Sequence, residues 1–190
     1  IQKNQIEADN APGFKFLLPL KTSQELLRIL KDGETLKIYH DEHQALFKTG
    51  NAELISRLVD GNFPDYTAII PKKFDAEIVL DREEFLNALK LAGVFGSRIS
   101  EVRIKTHENK KALEVSSTDH TLGENRCVLP SKNQGGVKGM SFNWRFLIDG
   151  LKAIKTKEVY FGVSEENKPA IIKSPADGSY FYILMPILKP

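Results

Sequence analysis

The sequence predicts an α+β fold built from a unit of one helix and four strands that occurs three times. The repeat is visible in the helices. Residues 25–31 read E-L-L-x-x-L-K, residues 84–90 read E-F-L-x-x-L-K, and residues 145–152 repeat the pattern with one extra residue. Self-similarity at a nearly constant spacing indicates a repeated structural unit. The second observation is that strand-like runs surround each helix in the same order.

The three helices are predicted to be amphipathic. Charged residues fall on one face and apolar residues recur at helical spacing on the other. Asp32-Gly33 is the predicted end of the first helix, because glycine readily takes the left-handed conformation. Gly150 lies inside the third helix, and the sequence offers no reason for it. The apolar positions of the first two helices are Leu26, Leu27 and Leu30, and Phe85, Leu86 and Leu89.

The residues before the helices predict where they start. Thr22 precedes Glu25 by three positions, and Asp81 precedes Glu84 by three. This is the spacing of a capping box, in which side chain and backbone satisfy each other's free donors. Asn143 is the predicted N-cap of the third helix.

One strand is predicted before each helix and three after it. A single helix covers only part of a four-stranded sheet, so two units should pair as one domain. Three units therefore make one and a half domains: residues 1–66 as an incomplete half, 67–74 as a connector and 75–190 as a complete domain. The incomplete half should leave a sheet edge bare. The predicted strands are 16–19, 35–39, 45–49, 52–58, 76–80, 101–106, 112–117, 121–129, 137–142, 158–163, 170–173 and 179–185.

Composition limits the classes of function. The chain of 190 residues is 41% hydrophobic and 27% charged, with a net charge of +2. These values are typical of a globular protein, and no apolar run reaches the roughly 18 residues of a membrane span. The charge is too balanced for tight nucleic-acid binding by attraction alone. The single cysteine, Cys127, excludes an internal disulfide and is expected to be buried in a strand.

Two proline-containing segments are candidate binding surfaces. Phe63, Pro64 and Ile69 lie in a stiff connector between predicted domains, and pockets are common at domain boundaries. Near the end of the chain, Pro186 cannot donate to a sheet, so the last strand should stop before it. The apolar residues around Pro186, including Met185, then lie outside the sheet. Exposed apolar patches of this kind commonly mark interaction sites, and methionine suits adaptable binding surfaces.

The sequence gives only weak evidence for catalytic or metal-binding residues. His40 and His43 have no third or fourth ligand nearby for a metal. Asp119 and His120, with serines close by, are adjacent on a strand and so face opposite sides. No glycine-rich phosphate loop is present. We therefore predict no catalytic, metal or cofactor site, and the alternative is an unrelated α+β enzyme domain with an unrecognised active site.

The connector Arg-Leu-Val-Asp-Gly-Asn-Phe-Pro-Asp-Tyr at 57–66, the Tyr-Ile-Leu-Met-Pro-Ile run at 182–187 and the threefold unit resemble bacterial DNA sliding clamps. These clamps are the beta subunit of DNA polymerase III, and the resemblance covers residues 16–190. It implies a processivity fold with antiparallel sheets and helices lining one face. It also implies that the chain is the second half of the middle domain plus the last domain.

The resemblance implies a non-catalytic, cytoplasmic bacterial protein that encircles double-stranded DNA without reading its sequence. In full-length form it would be a homodimeric ring. Its other implied partners are the alpha subunit of DNA polymerase III, the clamp loader and other proteins that carry a clamp-binding motif. This chain lacks the family's first domain, so we expect it not to close a ring.

The resemblance also implies site residues. Lys21 would face DNA, and Val94 and Phe95 would lie at the ring interface. Three features depart from the family pattern: residues 188–190 extend the usual ending, the turn at 165–169 differs in composition, and the Thr-Asp-x-His-Arg strand of the opposite groove wall is missing. The groove that captures partner peptides would be lined by Pro64, Ile69, Asn143, Phe146, Tyr182, Ile183, Leu184, Met185, Pro186 and Ile187.

Overall fold

The structure, a computed structural model, describes residues 14–95, 99–107, 111–164 and 167–188. It divides into two compact units, an N-terminal unit that ends at Asp65 and a C-terminal unit that begins at Tyr66. Both units combine helices with antiparallel strands, so the α+β prediction is confirmed. Among the described residues, none of the helices is long and apolar enough to cross a membrane.

The N-terminal unit packs one helix on a small antiparallel sheet. Its elements are α1 (Leu20–Ile29), β1 (Lys37–His40), β2 (Gln44–Lys48) and β3 (Glu53–Arg57). The strands are hydrogen-bonded in the order β1-β2-β3. The buried cluster beneath the helix is small and consists of Leu26, Ala45 and Phe47. Ile55 and Leu27 are 65% and 79% exposed, so much apolar surface of this unit stays uncovered.

Three predictions for this unit are wrong. α1 ends at Ile29, with Leu30 as its C-cap, and not at Asp32-Gly33. The predicted strand at 16–19 is not a strand. The Leu17 carbonyl accepts a bond from the Val59 N–H (2.9 Å), whereas the Pro19 carbonyl already accepts bonds from the first turn of α1. Thr22 is not the N-cap of α1. The helix begins earlier, after Pro19, and the Thr22 hydroxyl lies 2.7 Å from that of Ser56.

The C-terminal unit is built on an eight-stranded antiparallel sheet. A 3-10 helix (Tyr66–Ile69) precedes the first strand. The other elements are β4 (Ala76–Asp81), α2 (Arg82–Val94), β5 (Glu101–Thr106), β6 (Ala112–Asp119), β7 (Gly123–Gly135), β8 (Met140–Asn143), α3 (Trp144–Lys152), β9 (Glu158–Val163), β10 (Ala170–Lys173) and β11 (Phe181–Leu184). The strand order in the sheet is β11-β10-β9-β4-β7-β6-β5-β8.

The two repeats of this unit exchange their first strands. β4, which leads the first repeat, pairs with β9 of the second, and β8, which leads the second repeat, pairs with β5 of the first. The long strand β7 pairs with β6 along its first part and with β4 along its last part, so it joins both halves of the sheet. The repeats therefore form one body with one core, as the predicted pairing of units requires.

Both helices of the C-terminal unit begin at capped positions. The Asp81 carboxylate accepts hydrogen bonds from the backbone N–H groups of Glu83 (2.9 Å) and Glu84 (3.0 Å). The Asn143 side-chain oxygen accepts one from Arg145 (3.0 Å). Both predicted N-caps are confirmed, because each side chain satisfies donors that the first helical turn leaves free.

Gly150 allows β11 to approach α3 closely. A Cβ at this position would lie 2.8 Å from Cδ1 and 2.9 Å from Cγ of Tyr182, closer than carbon atoms pack. The Tyr180 hydroxyl donates to the Gly150 carbonyl (3.2 Å). The glycine that the sequence left unexplained is therefore the contact point between the last helix and the last strand.

Candidate peptide-binding site

The chain beyond β11 is attached to the edge of the sheet. β11 ends at Leu184, two residues before Pro186, as the proline predicts. Ile187, the residue after this proline, donates its N–H to the Ser141 carbonyl in β8 (2.7 Å). In the first repeat the corresponding contact, between the last strand and the first, is the pairing of β7 with β4 in the middle of the sheet. The tail, residues 185–188, thus keeps one bond of a strand pairing that Pro186 interrupts.

The tail presents apolar side chains at the surface. Met185 and Leu188 are 54% and 56% exposed, and Pro186 and Ile187 are half-buried. Leu184 is buried in the core, so its side chain supports the tail from below. An exposed methionine on a fixed backbone is a suitable contact for another apolar chain.

Tyr182 and Ile183 lie just before the tail on opposite faces of β11. Tyr182 packs against Gly150 of α3, whereas Ile183 pairs with Ile171 of β10. Burial raises the pKa of the Tyr182 phenol, and the nearby charge of Asp149 adds to this. The strand before the tail is therefore held by both the helix and the sheet.

Residues 66–74, at the start of the C-terminal unit, lie across the outer face of the sheet, the face away from the helices, beside β9 and β11. The Tyr66 and Phe181 ring centroids are 6.1 Å apart, and those of Phe74 and Tyr160 are 6.3 Å apart. Ile69, in the 3-10 helix that begins at Tyr66, is 55% exposed. The ring contact with β11 thus brings the segment that carries Ile69 alongside the strand that leads into the tail.

The remaining predicted site residues, those of the groove, the DNA contact and the ring interface, lie in different places. Phe146 is 53% exposed in the first turn of α3, directly after the Asn143 cap. Pro64 is exposed in the N-terminal unit, as is Lys21 on α1. Val94, the last residue of α2, is 64% exposed, and Phe95 after it is half-buried.

A cavity of about 400 Å³ adjoins the tail. The tail and Met140 supply its apolar side, whereas Arg103, Ser141 and Asn167 supply polar groups. The volume of this cavity and its lining of polar and apolar groups are typical of a site that binds a short segment of a ligand. The sequence analysis did not single out Arg103, although the alternation of apolar and charged residues in β5 already placed it on the face away from the helices.

Family models account for both units. The model of the DNA polymerase III beta subunit, C-terminal domain, matches residues 67–188, and the model of its central domain matches residues 1–65. The chain belongs to the DNA polymerase III beta subunit family. The threefold repeat, the connector and the Met-Pro tail are thus features of a sliding-clamp sequence.

Individual relatives agree with this assignment. The beta sliding clamp of Staphylococcus aureus (strain Mu50) is 31% identical over 189 residues, which are 98% of this chain and 50% of the relative. The crystal structure of the Bacillus subtilis clamp is 26% identical, with a TM-score of 0.91, over 100% of this chain and 50% of that one. A Pseudomonas aeruginosa clamp matches with a TM-score of 0.84 and 26% identity, over 92% and 48%. The chain spans about half the length of the relatives it matches.

A buried carboxylate surrounded by partly exposed cationic side chains lies on the outer face of the clamp sheet, and the sequence analysis missed it. The side chain of Glu114 is only 4% exposed, and its carboxylate contacts Arg126 (2.8 Å), Lys105 (3.1 Å) and His107 (3.3 Å). Burial alone would raise the pKa of Glu114, but hydrogen bonds from Arg126 and Lys105 outweigh it and hold the pKa below its usual value. The signal in the sequence was an acid within an apolar strand.

The catalytic candidates have structural roles. The Asp119 carboxylate accepts the backbone N–H groups of Thr121 (2.8 Å) and Leu122 (3.0 Å), which lowers its pKa. The ring of His40 packs near Phe14 and Phe16. Within the described part of the chain, no three histidine, cysteine or acidic residues are grouped to hold a metal ion. The family matches support a sliding clamp and not the alternative of an unrelated enzyme domain.

Proposed function

We propose that this chain is part of a non-catalytic sliding clamp that encircles double-stranded DNA in the bacterial cytoplasm. Its proposed role is processivity: it tethers the alpha subunit of DNA polymerase III, the clamp loader and other proteins with a clamp-binding motif. Family membership and the net charge of +2 support this. A nearly neutral protein needs topology rather than charge attraction to stay on DNA.

The proposal includes a domain assignment. Residues 1–66 would be the C-terminal half of the middle clamp domain, 67–74 the connector and 75–190 the complete last domain. The boundary between the two family matches falls at residue 66, and the two compact units meet there. Lys21, exposed on α1, would face DNA. In the full-length homodimer, Val94 and Phe95 would lie at the ring interface, consistent with the exposure of Val94.

We propose that the tail forms one wall of a groove for partner peptides. The observation that carries this is the bond from Ile187 to Ser141, which fixes the backbone while Met185 stays 54% exposed. A fixed apolar surface loses little entropy on binding, so more of the contact energy appears as affinity. Exposed Ile69 and Phe146 supply further apolar contacts in the same unit.

The expected affinity is moderate. Each Leu or Phe anchor of a peptide contributes about 1.5–3 kcal/mol on full burial. Two anchors and some backbone bonds, less the cost of ordering the peptide, give about −8 kcal/mol, which is a micromolar Kd. Exchange at this affinity suits a platform shared by several partners.

A peptide titration tests the groove. A fluorescein-labelled peptide from the C-terminal tail of the polymerase alpha subunit is titrated with the full chain, and anisotropy gives Kd. Met185→Ala should weaken binding about tenfold, the loss of roughly one apolar contact of 1.4 kcal/mol. Pro64→Ala should weaken it less. Leu91→Ala is the matched control, because Leu91 is 53% exposed on α2, outside the proposed groove.

Two results would exclude the groove. One is the absence of saturable binding to the wild-type chain. The other is a Kd that neither Met185→Ala nor Pro64→Ala changes relative to Leu91→Ala. Circular dichroism of each variant checks that a weaker Kd does not come from unfolding.

A further inference from the structure

Arg103 occupies an unusual position beside the tail. Its Cα pairs with that of Ser141 across β5 and β8, and Ser141 holds the tail through Ile187. The guanidinium lies over Gly139, where a Cβ would come within 2.4 Å of Nε. Gly139 has a φ of +151°, a conformation that L side chains rarely adopt. The backbone is thus shaped so that a long cationic side chain can cross it toward the tail.

Two neighbouring cations of this face have their own ion-pair partner. Lys105 and Arg126 both contact the buried carboxylate of Glu114. Arg103 is exposed and forms no ion pair with any residue in the described ranges. Glu101, two residues before it on the same strand face, accepts a hydrogen bond from the Ser141 hydroxyl.

The described residues that line the cavity beside the tail include one cation, Arg103, and no acidic residue. Of the eight lining residues that the structure describes, Arg103 alone is charged, and the apolar side chains of Pro186, Ile187 and Leu188 line the same cavity. A ligand that fills this cavity meets an apolar wall and one cation with planar, paired donors. Guanidinium groups bind carboxylates in this fork geometry.

We propose that Arg103 is a specificity residue that binds a carboxylate of the partner peptide next to the peptide's apolar anchor. This inference rests on the proposed peptide groove. The occupant is an extended peptide whose anchor packs on the tail and whose acidic group, from an Asp or Glu side chain or from the C-terminus, reaches the guanidinium. Neutral peptides bind through the apolar contacts alone, and acidic ones gain an additional charged hydrogen bond.

Three peptides and three proteins test the proposal. The labelled peptides share one sequence with two Leu and one Phe as anchors. The first ends in a C-terminal amide with Gln after the last anchor, the second replaces that Gln by Glu, and the third keeps Gln but has a free C-terminal carboxylate. Each is titrated by anisotropy with the wild-type full chain, with Arg103→Gln and with Lys90→Gln. Lys90 is the control, an exposed cation on α2, on the other face of the sheet.

The wild-type chain should bind at least one of the two acidic peptides about fivefold more tightly than the neutral one, the effect of a partly exposed ion pair. Which acidic peptide gains affinity identifies the source of the carboxylate. Arg103→Gln should abolish the difference and leave the neutral Kd unchanged, whereas Lys90→Gln should keep it. The preference should also shrink between 50 and 500 mM salt, because salt screens exposed charges.

The outcomes separate this inference from the groove itself. If wild-type chain binds all three peptides equally, or if Arg103→Gln keeps the preference, the role of Arg103 is wrong and the groove stands. If Lys90→Gln removes the preference as well, the effect is general charge attraction and the proposal fails. If no peptide binds the wild-type chain, the groove is wrong and the role of Arg103 falls with it.

Discussion

Because Gly150 contacts Tyr182, replacing it by alanine should destabilise the C-terminal unit, whereas the same change normally stabilises a helix. Alanine is normally preferred over glycine inside a helix by about 1 kcal/mol. At Gly150, however, the added methyl group would lie 2.8 Å from Cδ1 of Tyr182. Relieving such an overlap in a packed site costs about 1–3 kcal/mol. Gly150→Ala should therefore lower the free energy of unfolding of the C-terminal unit by up to about 2 kcal/mol.

A second variant removes the obstacle. In a Tyr182→Ala background the ring is gone, so the same Gly150→Ala change should stabilise the unit by about 0.5–1 kcal/mol. The difference between the two effects is the coupling energy of the pair, about 1–3 kcal/mol. Because neighbouring residues are expected to couple and distant ones are not, this double-mutant cycle isolates the packing of α3 against β11.

Urea unfolding provides the measurement. The chain has one tryptophan, Trp144, at the start of α3, so its fluorescence reports on the C-terminal unit alone. The four proteins of the cycle are unfolded in parallel and compared by midpoint and slope. A stabilisation of about 1 kcal/mol by Gly150→Ala in both backgrounds would refute the argument, because it would mean that the ring does not oppose the methyl group.

Two further predictions concern charged groups of the same unit. Glu114→Gln should lower the free energy of unfolding at pH 7 by about 1–3 kcal/mol, because it leaves Arg126 and Lys105 without their buried partner. The depressed pKa of Glu114 means that its ion pairs stabilise the fold above its ordinary pKa of about 4.3 and are lost as pH falls through the folded-state pKa. Urea midpoints between pH 7 and 3 should therefore fall more steeply for wild type than for Glu114→Gln, and equal slopes would contradict the assignment. Asp81→Ala should cost about 1 kcal/mol through the lost cap of α2, and Asp81→Asn should restore most of it; equal losses in both variants would show that capping is not the cause.

The repeat and its pairing could be predicted because they depend on local patterns. Apolar spacing identified α1, α2 and α3, and the residue types Asp81 and Asn143 identified two helix starts. Thr22 has the same spacing to an acid as Asp81 but bonds to Ser56 instead. The structure starts α1 three residues earlier, after Pro19, with no side-chain cap. A capping pattern therefore predicts a helix start only where the tertiary structure leaves that side chain free to cap.

The non-local features could not be predicted in the same way. Nothing in the residues of β4 indicates that it pairs with β9 of the second repeat as well as with β7 of its own. The position of Arg103 beside the tail depends on the register between β5 and β8 and on the bond from Ile187 to Ser141. The alternation within one strand shows which face each side chain lies on, but it does not name the distant strand against which that face is aligned.

The exchange of first strands determines when the C-terminal unit can fold. β4 lies between β7 and β9 in the sheet, so one of its two neighbours comes from the far end of the chain. During synthesis, the first repeat emerges from the ribosome with β4 paired on one side at most, because β9 has not yet been made. Pairings between distant segments form slowly and leave strand edges open in the meantime. Ribosome-bound chains that end before β9 should therefore resist proteolysis far less than chains that include it.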